Sequence, residues 1–97
     1  MYKVKLTPKP VELEAILWTG YNFASVYTWY LQHGGVIEAM SGNDGKTLRV
    51  HNKLEDQWTY IPQGHYLICG LEGEFYPFEA TACHKKYNVE EIEDADN

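Results

Sequence analysis

Apolar and polar residues alternate in the first part of the chain, as they do in β-strands. Val4 and Leu6 alternate with lysines, and two prolines then interrupt any hydrogen-bonded ladder. Residues 2–6 are therefore predicted to form an edge strand or an extended arm. Residues 11–18 alternate next and become apolar on both faces toward their end, which predicts a strand that begins half-exposed and ends buried.

After Gly20 the spacing of apolar residues changes to that of a helix. Asn22 stands where a helix N-cap is expected. The residues with i, i+3, i+4, i+7 and i+8 spacing are Phe23, Val26, Tyr27, Tyr30 and Leu31. Trp29 falls on the flank of this face, and Gly34 and Gly35 follow as residues that accept a left-handed cap. The pattern predicts one amphipathic helix.

From residue 36 onward, short apolar segments alternate with segments rich in turn-forming residues. The predicted strands cover residues 36–40, 46–51, 57–61, 65–69 and 74–78. Short strands at this spacing favour a curled antiparallel sheet or small barrel. We therefore predict an α+β fold in which one helix packs on a curled antiparallel β-meander of about five to six strands. Residues 81–87 are predicted to form a short terminal helix.

The distribution of charge separates a domain from a tail. The 97 residues are enough for one domain, and they carry a net charge of −6. Five of the fourteen acidic residues lie at 90–97, so residues 1–89 carry eight bases and nine acids. We predict a single, nearly neutral domain at 1–89 and a disordered acidic tail at 90–97.

Charge and hydropathy also narrow the classes of function. The chain lacks the basic field of a general nucleic-acid binder or of a protein that binds anionic membranes. No apolar run approaches the roughly 18 residues of a transmembrane helix, and no secretory signal is visible at the N-terminus. Cys69 and Cys83 form no C-x-x-C pair, which predicts reduced thiols in a cytoplasm.

The sequence shows no motif of the common enzyme classes or of a metal site. G-x-S-x-G, P-loop and G-x-G-x-x-G patterns are missing from it. His65 and Cys69 would share one face of a strand but lie about 13 Å apart, too far to bind one ion together. The paired carboxylates Glu72 and Glu74 are explained more simply as a charged strand edge. We expect no enzymatic activity, no cofactor and no metal.

Two segments carry distinctive motifs. Residues 9–22 are KPVELEAILWTGYN, and residues 64–77 are GHYLICGLEGEFYP. They resemble a family of small proteins encoded by bacteriophages and prophages, whose members carry KPVEVEAIQWTGDN and PGDYIIRGVKGEFYPCK-like motifs. This chain departs from that pattern at His65, where the family has Asp, and at Phe78, where it has Cys. The resemblance covers roughly a third of the chain and implies a phage origin, without a known biochemical activity.

A surplus of aromatic residues favours protein binding. Eight tyrosines and three tryptophans are more than a small core needs, and both residue types contribute strongly to interfaces. We predict that Trp29, Tyr27, Tyr76 and Arg49 bind a partner. The expected function is that of a phage-encoded, non-enzymatic accessory protein, which binds and modulates a bacterial host protein in the cytoplasm of the infected cell. The sequence also allows a homodimer.

Nucleic-acid binding and a minor structural role in the virion are the alternatives. Arg49, His51 and Lys53 are predicted on the outward face of one strand, with Trp58 and Tyr60 on the next, as in small barrels that stack bases. However, basic residues are few, and Trp58 and Tyr60 alternate as core residues do. Nucleic-acid binding is therefore the weaker prediction.

Overall fold

The computed structural model describes residues 3–6, 11–36, 41–43, 46–53 and 55–92. In chain order, these residues form β1 (Glu14–Leu17), α1 (Phe23–Gln32), β2 (Ser41–Asn43), β3 (Thr47–Asn52), β4 (Gln57–Pro62), β5 (His65–Cys69), β6 (Phe75–Glu79) and α2 (Ala80–Lys86). The predicted α+β class and both predicted helices are confirmed. Residues 37–40 of the strand predicted at 36–40, and residues 93–97 of the predicted tail, lie outside the described residues.

The strands divide between two antiparallel sheets, so the prediction of a single curled meander or small barrel is wrong in this respect. One three-stranded sheet has the order β1-β5-β6, and the other has the order β2-β3-β4. The division occurs at the turn between β4 and β5, where Gly64 has a φ of +85°. There the amide of Gly64 donates to the carbonyl of Trp18 at 2.8 Å, and β5 pairs with β1 instead of β4.

The core lies between the two sheets and α1. Its buried residues are Trp18, Val26, Tyr30, Leu48, Val50, Ile61, Leu67 and Phe75. The ring of Tyr30 on α1 lies 4.7 Å from that of Phe75 on β6, which attaches the helix to the first sheet. The other side of this sheet contacts α2, where Cys83 is buried.

Asn22 stands before α1, as predicted, but its side chain supports the preceding turn instead of capping the helix. Its Oδ1 accepts hydrogen bonds from the backbone N–H and the hydroxyl of Thr19, both at 3.0 Å. Its Nδ2 donates to the carbonyl of Leu17 at 2.8 Å, and the side chain makes no capping bond to α1. Asn22 therefore fixes the path from the end of β1 into the helix.

The two glycines after α1 are required for different reasons, and alanine variants should separate them. Gly34 has a φ of +90° with open space around it, whereas a Cβ at Gly35 would overlap the buried ring of Tyr30. We expect Gly34→Ala to lower the free energy of unfolding by about 1 kcal/mol through backbone strain. Gly35→Ala should lower it by about 2 kcal/mol because the core around Tyr30 must shift. Urea unfolding measures both, and equal losses would contradict the distinction.

The short helix α2 begins at a strong side-chain cap. The carboxylate of Glu79 accepts hydrogen bonds from the backbone N–H groups of Thr81 at 2.9 Å and Ala82 at 3.2 Å. These bonds lower the pKa of the Glu79 carboxyl. His84, Lys85 and Lys86 occupy the last turn, where cations interact favourably with the helix dipole. Both ends of this short helix are thus stabilised locally.

The cap of α2 should be lost in acid. Because the pKa of Glu79 is lowered in the folded state, the stabilisation is complete above the unfolded-state pKa of about 4.3 and disappears as pH falls through the folded-state pKa. We expect the amide NMR resonances of Thr81 and Ala82 to shift over that range. Glu79→Gln should abolish this titration and Glu72→Gln should not. If the amide resonances of Thr81 and Ala82 still shifted over this pH range in the Glu79→Gln variant, the assignment to Glu79 would be wrong.

Candidate functional site

The outward side of β3 and β4 carries an exposed group of aromatic and basic side chains. In the register of this hairpin, Arg49 lies opposite Tyr60, and His51 lies opposite Trp58. Residues opposite one another in an antiparallel pair point to the same side of the sheet. We call Arg49, His51, Trp58 and Tyr60 the outer face.

Trp58 and Tyr60 are not core residues, and that sequence prediction is wrong. Trp58 is 45% exposed and Tyr60 is 56% exposed. The pairing with β3 decides this outcome, since Ile61 lies opposite the buried Leu48 and so defines the inward side of β4. Alternation along β4 shows which residues share a side but does not show which side is buried.

Arg49 is held against the ring of Trp58. Its guanidinium carbon Cζ lies 4.1 Å from the centroid of the ring, within the range of a cation–π interaction. The two residues are diagonal neighbours across the hairpin. Among the described residues, the ion pairs are His33–Glu14 and His51–Asp56, and Arg49 takes part in neither. Within the described part of the chain, no carboxylate pairs with its N–H donors.

His51 supports the other edge of the Trp58 ring. The two rings are 5.2 Å apart and inclined by 66°, so their contact is edge to face. His51 Nε2 lies 2.9 Å from Oδ1 of Asp56, in the turn that joins β3 to β4. Asp56 has a φ of 49°, the left-handed conformation that tight turns often require. These contacts orient Trp58 before any partner binds, and such preorganisation lowers the entropic cost of binding.

Two of the residues predicted to bind a partner lie on α1 and are half-buried. Trp29 packs against the core, with its ring 4.1 Å from that of His33 and 6.2 Å from that of Phe75. Tyr27 stacks on Phe23 at 5.7 Å between ring centroids. Much of their apolar surface is therefore used within the fold.

The other two predicted residues lie on different sheets. Tyr76 pairs with Ile68 and points away from the side on which Phe75 contacts α1. Burial raises the pKa of the Tyr76 hydroxyl. Of the four residues, Arg49 alone belongs to the outer face, so the structure does not bring them together in one surface. Their individual roles in binding stay predictions.

Reasoning from the sequence missed the exposure of Trp58 and Tyr60, although a signal was present. On β3, the apolar Leu48 and Val50 alternate with polar residues, which marks Arg49 as outward. Pairing this strand with β4 through a short turn places Tyr60 beside Arg49. The sequence signal marks the outward side of β3, and the register between β3 and β4 is needed to extend it to Trp58 and Tyr60.

The two cysteines are unpaired, and their surroundings favour the protonated thiols. Burial raises the pKa of both thiols, and the carboxylates of Glu74 and Glu14 raise that of Cys69 further. Protonated thiols are weak nucleophiles and weak metal ligands. Within the described ranges, no three His, Cys, Asp or Glu side chains are grouped so that they could hold a metal ion. No helix in these ranges is long and apolar enough to cross a membrane.

The described structure also contains a small cavity. It has a volume of about 190 Å³ and lies among residues 34–36 after α1, the end of β3 and the loop between β5 and β6. Lys53, Glu72 and Glu74 line it. Ligand sites usually enclose about 300–1,000 Å³, so the outer face is the stronger candidate site.

Comparison of the chain with protein-family models, with curated proteins and with solved structures finds no match. The outer face is therefore the feature from which a function has to be inferred.

Proposed function

We propose that this protein is a non-enzymatic binding module whose recognition surface is the outer face. The observation that supports this function is the guanidinium of Arg49 over the exposed Trp58 ring, with Tyr60 directly opposite. Trp, Tyr and Arg are the residue types that dominate binding energy at protein interfaces. An exposed group of large aromatics is also typical of a surface that a partner covers.

The partner in this proposal is a protein of a bacterial host. The resemblance of residues 9–22 and 64–77 to phage-encoded proteins supports that choice, together with a location in the cytoplasm of the infected cell. The mechanism is occupancy: the module covers part of the host protein's surface and so changes what that protein can bind. No catalytic step is involved.

Site-specific photo-crosslinking tests this function. Tyr60 is replaced by p-benzoyl-L-phenylalanine, and the same replacement at Tyr21, which is 91% exposed and lies outside the outer face, is the matched control. We expect a bacterial protein to be crosslinked from position 60 and not from position 21, and Trp58→Ser should remove the adduct. Equal adducts from both positions, or none from position 60, would contradict the proposal. An adduct of twice the chain's mass would identify a second copy as the partner.

Single-stranded nucleic acid is a second candidate, favoured by the exposure of Trp58 and Tyr60. Bases stack on exposed aromatics, and arginine adds a cationic contact. Binding of a labelled oligothymidylate, followed by fluorescence anisotropy, tests this candidate. Nucleic-acid binding predicts an affinity that falls steeply as salt rises and that is lost in Trp58→Ser. No binding at low salt would exclude it.

A further inference from the structure

We infer that the outer face recognises an acidic peptide segment in an extended conformation. In this arrangement a carboxylate of the segment pairs with the guanidinium of Arg49, and neighbouring apolar side chains pack on Trp58 and Tyr60. The inference rests on the proposed function and specifies the chemistry of its partner.

Arg49 is positioned by Trp58 and has no carboxylate partner among the described residues. The guanidinium of Arg49 lies 4.1 Å from the centroid of the Trp58 ring, and a guanidinium carries five N–H donors in a fixed planar arrangement. No carboxylate of the described residues pairs with it. Arginine binds carboxylates through two parallel hydrogen bonds, and a guanidinium already positioned by Trp58 loses less freedom on doing so.

The aromatic side chains next to Arg49 favour a peptide in an extended conformation. Tyr60 lies directly opposite Arg49, and Trp58 lies diagonally across the hairpin, so two exposed aromatic side chains stand on the neighbouring strand β4, on the same side of the sheet as Arg49. In an extended segment, residues two apart point to the same side and are about 6.6–7 Å apart. Trp58 and Tyr60 are themselves two positions apart on β4 and share its outward side, so their backbone positions have the same spacing. An acidic residue paired with the guanidinium over Trp58 therefore brings an apolar residue two positions away toward Tyr60.

The charge near the turn favours a peptide over a nucleic acid. Lys53 is exposed there, but Glu55 and Asp56 are exposed in the same turn and offset its charge. His51 is engaged with Asp56. One guanidinium is enough to bind a single carboxylate, whereas following a phosphate backbone requires a row of cations. The outer face thus matches an isolated acidic side chain better than a polyanion.

Selection from a random decapeptide display library, with charge reversal at Arg49, tests the inference. We expect peptides that bind the wild-type protein to carry Asp or Glu two positions from an aromatic or aliphatic residue. Arg49→Glu should shift the selected residue at that position to Lys or Arg. For a selected acidic peptide, Arg49→Glu should weaken binding about 100-fold, the size of a hot-spot effect, while Arg49→Lys should weaken it about tenfold because lysine cannot form the paired hydrogen bonds.

Failure of the inference can be told apart from failure of the proposed function. If the wild-type protein enriched peptides that the Trp58→Ser variant does not bind, and these peptides showed no preference for acidic residues, the inference would be overturned. The proposed binding module would then still stand. No enrichment above that of the Trp58→Ser variant would overturn both. Binding of oligothymidylate that depends on Arg49 and is stronger than that of any selected peptide would assign the site to phosphate and overturn the acidic segment. If the Arg49→Glu variant selected peptides with the same acidic preference as the wild type, the inference would also be overturned.

Discussion

Replacing Asn52 with alanine is expected to destabilise the protein by about 3 kcal/mol, a large share of the stability of a small domain. Asn52 is 5% exposed and is the buried polar residue of the described core. Its Nδ2 donates to the carbonyl of Phe75 at 2.7 Å, and its Oδ1 accepts from the amide of Phe75 at 2.6 Å. Asn52 ends β3 and Phe75 begins β6, so this side chain joins one sheet to the other as a neighbouring strand would.

The expected loss comes from the backbone groups left behind. Without the side-chain amide of Asn52, the backbone N–H and C=O groups of Phe75 would be buried without hydrogen-bond partners. Each such group lowers the free energy of unfolding by about 1–3 kcal/mol. Thr59→Val is the matched control, because it removes only the 2.6 Å bond between Nδ2 and the Thr59 hydroxyl and should cost about 1 kcal/mol. Asn52→Asp should not restore stability, since a carboxylate cannot donate to the Phe75 carbonyl. Urea unfolding measures all three, and an Asn52→Ala loss no larger than that of Thr59→Val would refute the argument.

Asn52 also illustrates which part of the fold was predictable. Helix α1 and strand β5 follow from local spacing, because their apolar periods and their flanking glycines lie within a few residues. Asn52 is a turn-forming residue at the end of a strand, and its role depends on Phe75, 23 positions further along the chain. The pairing of Glu14 with Cys69 is also distant in sequence. Separation into two sheets arises from such distant contacts, which periodicity does not encode.

The same limit applies to the candidate site. Arg49 was predicted to be outward and to bind a partner from its position in an alternating strand. The side of Trp58 was predicted incorrectly, because burial of a large aromatic residue is the usual outcome and the alternation of β4 alone is symmetric. What decides the side is the register of β4 against Leu48 and Val50, which already occupy the core. A site built across two strands therefore requires their pairing to be known.

Removal of either aromatic residue of the outer face should weaken binding strongly and leave the fold intact. We expect Trp58→Ser and Tyr60→Ser each to weaken binding of a crosslinked partner or selected peptide by about 30- to 100-fold, the effect typical of hot-spot residues. Because both side chains are about half exposed, each variant should lose at most about 1 kcal/mol of unfolding free energy. Calorimetric titration and urea unfolding measure the two effects separately.

Two control variants make this outcome specific. Tyr21→Ser removes an exposed tyrosine outside the outer face and should change neither binding nor stability. Trp29→Ser removes a ring that packs on His33 and Phe75, so it should cost about 2 kcal/mol of stability, while the remaining folded protein binds normally. If Trp29→Ser weakened binding by the folded protein as strongly as Trp58→Ser, recognition would involve α1, as predicted from the sequence. Weakened binding in Trp58→Ser and Tyr60→Ser, together with normal binding by Tyr21→Ser and by folded Trp29→Ser, assigns recognition to the hairpin of β3 and β4, because both rings are exposed on its outward side.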